Sequence, residues 1–297
     1  MFSRSLGSIF KNKTNVQDFV LRRSHITTVL HYSLLIILLA LSFVVLIIMV
    51  NMSLRPTVLI YANFWGLAIP PIFDNYQNAF ERLVDPMSRT LLVTLVSILG
   101  ITLISCPAAY TLARIDIPGR KMIFFGILAL MMVPGAVQLA PNFILANQLN
   151  LRGTLHGLII FYIAEGQPFA IFLISSFFAH QSGELFEAAR IDGASELQAL
   201  RFIAVPLAWP IIMTVAVLNF LGIYSDLIWP SLMLTNQQQT LMIALQSFAT
   251  PVDEFVTRPN WGVQAAGYTI GIIPQLILFV FAMKYFIQGL TSGAVKG

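Results

Sequence analysis

Charge is the scarcest commodity in this 297-residue chain. Only 10% of the residues are Asp, Glu, Lys or Arg, against about 25% in a soluble domain, while 57% are hydrophobic. A water-soluble fold of this length could not cover its surface with so few charges. The mean hydropathy of +0.81 makes the bilayer the expected solvent. There is one cysteine, Cys106, inside an apolar run. That excludes an intrachain disulfide and a cysteine-based metal site and leaves Cys106 as a small buried apolar residue. No Gly-x-x-x-x-Gly-Lys-Ser/Thr phosphate loop occurs, so the chain does not hydrolyse ATP by that route. A Gly-x-Ser-x-Gly nucleophile elbow and a zinc-ligand cluster are missing too, and no catalytic pair is visible. The net charge of +4 is spread over the ends of apolar runs rather than gathered in polar patches, which argues against nucleic-acid binding.

What is abundant is apolar sequence in runs of about 20 residues, enough to cross a bilayer as helix. Six candidates appear: Leu30–Val50, Leu91–Leu112, Met122–Leu145 with Pro134 and Pro141, Leu155–Ala179 with Gly166 and Pro168, Leu207–Leu227, and Ala265–Ile287 with Pro274. The first is too long for a signal-peptide core and lacks a cleavage site. The basic residues give the orientation. With the N-terminus inside, the inner segments hold Arg4, Lys11, Lys13, Arg22, Arg23, Arg114, Arg120, Lys121, Arg190, Arg201, Lys284 and Lys296. The outer ones hold Arg55, Arg82, Arg89, Arg152 and Arg258. Both termini are therefore expected in the cytoplasm. The organisation expected is an N-terminal segment (1–29), a first span (30–50), an outside loop (51–85), a core of five spans (86–290) and a short cytoplasmic tail (291–297). A second long outside loop, Ser231–Gly262, contains Gln237-Gln238-Gln239. Either loop could present a surface to an external partner or simply cap the bundle.

Between the fourth and fifth spans lies a stretch of different character, 184–206. Glu187-Ala-Ala-Arg-Ile-Asp192 has strong helix formers and an acidic start. Gly193 suits the position after a helix end, where positive φ is free for glycine. Ser195 and Gln198 have capping-box spacing, and Pro206 can open the next span. The reading is two short helices held at a fixed angle and joined to span five. Such a segment could dock on a basic partner protein or pack on its own bundle.

Polar groups inside the spans are costly, and they mark either function or structure. Glu165 precedes Gly166-Gln167-Pro168, where the helix is expected to break. It reads as a functional group facing a cavity, as a cap for the kinked helix or as a partner of another subunit. Gln138 and Asn142 share a helix face, Asn219 lies mid-way along span five with Tyr224 and Asp226 nearer its end, and Gln275 follows Pro274. Each could face a bound ligand or bind a neighbouring helix.

The 184–206 segment closely resembles the EAA loop of ATP-binding-cassette importer permeases, at Glu187, Ala188, Ala189, Gly193, Ile203 and Pro206, with Val205 where leucine is usual. Asp192, Ala194, Leu207 and Pro210 match the fuller form of the carbohydrate-uptake branch. Tyr110-Thr-Leu-Ala-Arg114, Asn150-Leu-Arg-Gly-Thr154 and Tyr224-Ser-Asp-Leu-Ile-Trp-Pro230 are similar to further stretches of that branch, and Gly289–Gly297 resembles the tail of its maltose-type second permease subunit. The resemblance implies an all-α membrane protein, a type I importer permease of six transmembrane helices whose coupling helices lie between spans four and five. It also implies a non-enzymatic subunit without a cofactor of its own, in a bacterial inner membrane. Its partners would be a second, homologous permease, two ATPase subunits that hold ATP and Mg, and an external solute-binding protein, with sugar as cargo. Glu187, Ala188, Ala189, Asp192, Gly193, Ala194 and Pro206 would couple to the ATPase. Gln138, Asn142, Glu165, Asn219, Tyr224, Asp226 and Gln275 are candidates for the path. The alternative is a self-sufficient transporter driven by an ion gradient, for which Glu165 would be the coupling residue.

Overall fold

A computed structural model describes residues 4–235, 238–248 and 259–294, with side chains described from 27 to 284 outside those gaps. Gln237, Arg258 and Lys296 lie outside the described residues, as do the side chains of the basic residues from Arg4 to Arg23 and of the resembling tail from Gly289.

The chain folds as a run of helices: α1 Arg4–Ser53, α2 Thr57–Ala62, α3 Asp74–Arg114, α4 Arg120–Met131, α5 Gly135–Gln148, α6 Leu155–His180, α7 Gly183–Ile191, α8 Glu196–Ala199, α9 Val205–Leu207, α10 Trp209–Tyr224, α11 Ile228–Met233, α12 Leu241–Ser247 and α13 Trp261–Ala294. A π-helical turn, Leu200–Ala204, joins α8 to α9. Among the described residues four helices are long and apolar enough to cross a membrane, and six spans result if each of two bent pairs is counted as one. The bends are sharp: 98° between α4 and α5, and 76° between the α8–α9 stretch and α10.

The spine of the bundle is α3 packed along α6, with α10 and α13 against them and α1 against α13. Between lipid-facing helices the hydrophobic effect contributes little, so close packing of small residues must hold the seam. It does so by a reciprocal interlock. Gly100 of α3 receives Ile163 of α6, and Gly166 of α6 receives Ile101 of α3; a Cβ on either glycine would fall 2.3 or 2.4 Å from the isoleucine Cδ1. Ala109 and Ala170 are fully buried in the same core cluster.

That interlock corrects the expectation of a break in span four. The helix runs through Gly166 and Pro168 without interruption. Gly166 serves close approach to α3 rather than flexibility. The Gln167 side chain meanwhile donates to the Ile163 carbonyl at 3.1 Å, inside the turn that the proline disturbs. The true breaks fall elsewhere. Pro134 caps α5 from an extended backbone, splitting the third candidate span. Pro206 sits within the second short helix, and Pro210, in the first turn of α10, opens span five instead.

Both long loops are more structured than expected. Helix α3 begins at Asp74, well inside the segment 51–85, and the end of α11 and all of α12 lie within 231–262. The buried guanidinium of Arg55 donates to the carbonyls of Leu59, Asn63 and Phe64. Asn75 donates to the carbonyls of Ser53 and Arg55, both at 2.9 Å. These bonds satisfy backbone groups that an irregular segment would otherwise leave unpaired. Cys106 is buried, as its setting implied.

Candidate functional site

Two regions carry the polar chemistry. The first is the helix–turn–helix of α7, α8 and α9. Helix α7 ends in a Schellman motif: the Ala194 N–H donates to the Ala189 carbonyl at 2.9 Å and the Gly193 N–H to that of Arg190 at 3.1 Å. Gly193 adopts φ 83°, the left-handed conformation its position demands. Ser195 then caps α8 with a complete capping box, in which the Gln198 N–H donates to the Ser195 hydroxyl and the Ser195 N–H to the side-chain Oε1 of Gln198. Helix end and helix start are thus closed within three residues, and the angle between the two helices is set by backbone chemistry.

The same segment is anchored to the bundle through the end of α3. Phe186 is buried against Tyr110, with ring centroids 6.1 Å apart, and the Arg114 guanidinium lies 4.3 Å over the Phe186 ring. The Tyr110 hydroxyl donates to Glu196 at 2.7 Å, and the Arg190 Nε donates to the other oxygen of the same carboxylate at 2.9 Å. Those two donors, Arg190 before Tyr110, hold the Glu196 carboxyl below its ordinary value. Arg114 also donates to the Gln181 carbonyl, and Gln181 to the Ala204 carbonyl in the π-helical turn. Meanwhile Glu187, Ala188, Asp192, Gly193 and Pro206 are exposed, together with the apolar side chains of Leu185, Ile191, Leu197 and Phe202. A rigid platform thus turns an acidic and apolar face outward.

The second region is a cavity of about 660 Å³ between α5, α6, α10 and α11. Three elements each offer a stripe at helical spacing: Gly135, Gln138, Leu139 and Asn142 from α5; Tyr162, Glu165, Gly166 and Phe169 from α6; Asn219, Gly222, Ile223 and Asp226 from α10 and the turn that follows it. Phe161 and Trp229 complete the wall, with ring centroids 5.2 Å apart. Asp226 is fixed in place. The Tyr162 hydroxyl donates to one of its oxygens at 2.8 Å, and the Ile228 and Trp229 N–H groups donate to the other. Amides, carboxylates and flat aromatic faces are the groups that engage a polyol.

Residues 101–292 match the family described as the binding-protein-dependent transport system inner membrane component. The chain belongs to that family. It is 32% identical to the trehalose transport system permease protein SugB of Mycobacterium tuberculosis over 83% of this chain and 90% of that one. It is 31% identical to the diacetylchitobiose uptake system permease protein DasC of Streptomyces coelicolor over 76% and 81%. Its fold matches a chain in the crystal structure of a bacterial ABC transporter involved in the import of the acidic polysaccharide alginate, with a TM-score of 0.78, 23% identity, and coverage of 89% of this chain and 98% of the other. The likeness to carbohydrate-uptake permeases read from the EAA segment is thereby borne out, and an all-helical inner-membrane permease fold with it.

Within this permease the structure sorts the sequence candidates. Gln138, Asn142, Glu165, Asn219 and Asp226 come together around the cavity. Tyr224 and Gln275 do not line it. Tyr224 is turned into the α10–α13 contact, where its hydroxyl donates to the Gly271 carbonyl at 2.9 Å and its ring stacks on Phe220. Gln275 donates to the Ser225 hydroxyl at 2.7 Å. Apart from Thr214 and Asn219 helix α10 is apolar, so its sequence carries no polar stripe from which to orient Tyr224. Sequence reasoning passed over Tyr162, the hydrogen-bond partner of Asp226. It also passed over the Tyr110–Glu196–Arg190 network, although Tyr110 and Arg114 stood in a stretch already noted. The signal for Tyr162 was available, one helical turn before Glu165 on the same face.

Proposed function

We propose that this permease forms half of the translocation path of an ATP-driven sugar importer. It works with a second homologous permease, two ATPase subunits that bind ATP and Mg, and an external solute-binding protein. The observation that carries the proposal is the capped helix–turn–helix, exposed on one side and fastened to the bundle on the other. Helix α7 offers Glu187 and its apolar neighbours to the ATPase. Closure of the two ATPases on ATP moves α7 to α9 as one body, because Gly193 and Ser195 leave no slack between them. The movement passes into α10 through the chain and into α3 through Tyr110, Arg114 and Phe186, and it biases the bundle between two packings. Both termini and the α7–α9 segment lie on the cytoplasmic side in this reading, and cargo passes the cavity between α5, α6 and α10.

The named cargoes of the similar permeases, trehalose and diacetylchitobiose, support a sugar or short oligosaccharide as substrate, as do the amides and aromatic rings of the cavity. The test is purification from native membrane followed by uptake into proteoliposomes. The expected result is an ATPase that co-purifies and is released by Glu187→Lys, with uptake that requires ATP and the binding protein. Transport by the chain alone on an ion gradient would overturn the proposal.

A further inference from the structure

The two carboxylates of the cavity are not equivalent. Both Asp226 oxygens accept from the protein, one from the Tyr162 hydroxyl and the other from two backbone N–H groups, so the carboxylate is held in one orientation. Glu165 lines the same cavity from the middle of α6, and among the described residues no protein donor bonds to it. Among the described residues, those lining the cavity include no Lys, Arg or His. The walls on both sides are aromatic, with Phe161, Tyr162, Phe169 and a nearly buried Trp229, and they give the site a lower dielectric than water. A carboxylate midway along a membrane-spanning helix is costly unless something pairs with it. Two fixed negative charges between apolar walls also focus a negative potential into the opening, which attracts cations and repels anions.

We infer that Glu165, with Asp226 fixed behind it, is a charge-selecting residue of the sugar path, and that the cavity prefers a saccharide bearing a protonated amine over its neutral counterpart and excludes one bearing a carboxylate. An ammonium group beside Glu165 supplies the missing counter-charge and donates the hydrogen bonds the protein withholds. The sugar rings stack on Phe161 and Phe169, while Gln138, Asn142 and Asn219 meet the remaining hydroxyls. A uronate in the same pose would set a third negative charge against the two already there. This inference rests on the sugar-permease reading above and adds the charge of the cargo to it.

The experiment measures equilibrium binding of radiolabelled saccharides to the intact permease–ATPase complex in nanodiscs, without the binding protein, so that its selectivity does not enter. The probes are glucosamine disaccharide, its neutral di-N-acetylated form and a disaccharide containing glucuronate. The wild type should bind the amine form roughly tenfold more tightly than the neutral form, since one ion pair in a half-desolvated site is worth about that factor, and the glucuronate form least. Glu165→Gln should erase the preference for amine over neutral, and Glu165→Asp should keep most of it. Equal binding of all three probes by the wild type would overturn the charge assignment and leave the sugar path standing. Loss of the second permease from the Glu165→Gln complex, with the amine preference of the remaining material unchanged, would overturn it too and make Glu165 a contact between subunits. If no saccharide binds to any form, the sugar-path reading itself fails and this inference fails with it.

Discussion

The helix–turn–helix and the cavity both concentrate polar residues in an apolar chain, but they handle charge in opposite ways. At the helix–turn–helix Glu196 is matched to Arg190 and Tyr110, and each helix end is closed by its own residues. In the cavity two carboxylates share one space without a cation among its walls. Paired charges and closed caps make an element rigid, as a part that transmits force must be. Unpaired charge facing a void leaves binding capacity for something that arrives later. Under the proposed function the contrast is that between a mechanical part and a recognition part.

The largest expected effect breaks the mechanical side at its exposed face. Glu187→Lys reverses the charge that, in the proposed function, meets the ATPase, while leaving every described hydrogen bond of α7 to α9 in place. Loss of a close interfacial charge contact costs about 2–5 kcal/mol of association. ATP-driven uptake should fall to background while the permease remains in the membrane at normal abundance, as membrane blotting and ATPase co-purification would show. Retention of the ATPase at wild-type levels would detach Glu187 from coupling.

A second break targets the seam behind the cavity. In Gly166→Ala the new Cβ would lie 2.4 Å from Ile101 Cδ1 and 3.0 Å from Asn219 Oδ1. Ile101 is 1% exposed and has nowhere to retreat. Overpacking of this kind costs about 1–3 kcal/mol. Thermal unfolding in detergent should show a clear loss of stability, and pairing the change with Ile101→Val should recover part of it.

The anchor of the helix–turn–helix is weaker. Tyr110→Phe removes the hydroxyl that bonds to Glu196 and should cost about 1 kcal/mol at neutral pH. The pH dependence has a definite sign. Because the Glu196 carboxyl is held below its ordinary 4.5 in the fold, its stabilisation is fully present above pH 4.5 and is lost as the pH falls below that through the folded-state value. Partial exposure keeps this contribution small. The stability gap between wild type and Tyr110→Phe should therefore narrow as pH drops below 4.5, and a gap that stays constant would remove Glu196 from the anchor.

How legible each region was follows from the range of its determinants. The helix–turn–helix is written within about twenty residues. A glycine after a helix end, Ser195 three positions before Gln198 and the spacing of the EAA resemblance are all local, and the turn and capping box appear where they were expected. The cavity is assembled from residues 135 to 229, and only the three-dimensional arrangement decides which face of each helix looks into it. Glu165 and Asp226 could be picked out because charge inside a span is conspicuous. Tyr224 was grouped with the cavity candidates, although its hydroxyl meets the Gly271 carbonyl, because α10 carries too few polar residues to orient it. Gly166 was read as a break because a Gly-x-Pro sequence has the same letters whether it bends a helix or admits an isoleucine from a neighbour. The partner that decides between those readings, Ile101, lies 65 residues away in the sequence.

The smallest expected effect sharpens the contrast most directly, since it uses a glycine that looks equivalent to Gly166. Gly222 lines the same cavity, but a Cβ built there meets nothing within 4 Å. It lies inside α10, where alanine is the better helix former by about 1 kcal/mol. Gly222→Ala should therefore leave thermal stability unchanged or slightly raised, while adding a methyl group to the space that cargo would occupy. If the cavity is the path, affinity or uptake of a bulky oligosaccharide should fall more than that of a disaccharide, with the fold intact. If stability falls as it does for Gly166→Ala, then Gly222 belongs to a packed seam, and the boundary drawn here between structural glycine and cavity wall would have to move.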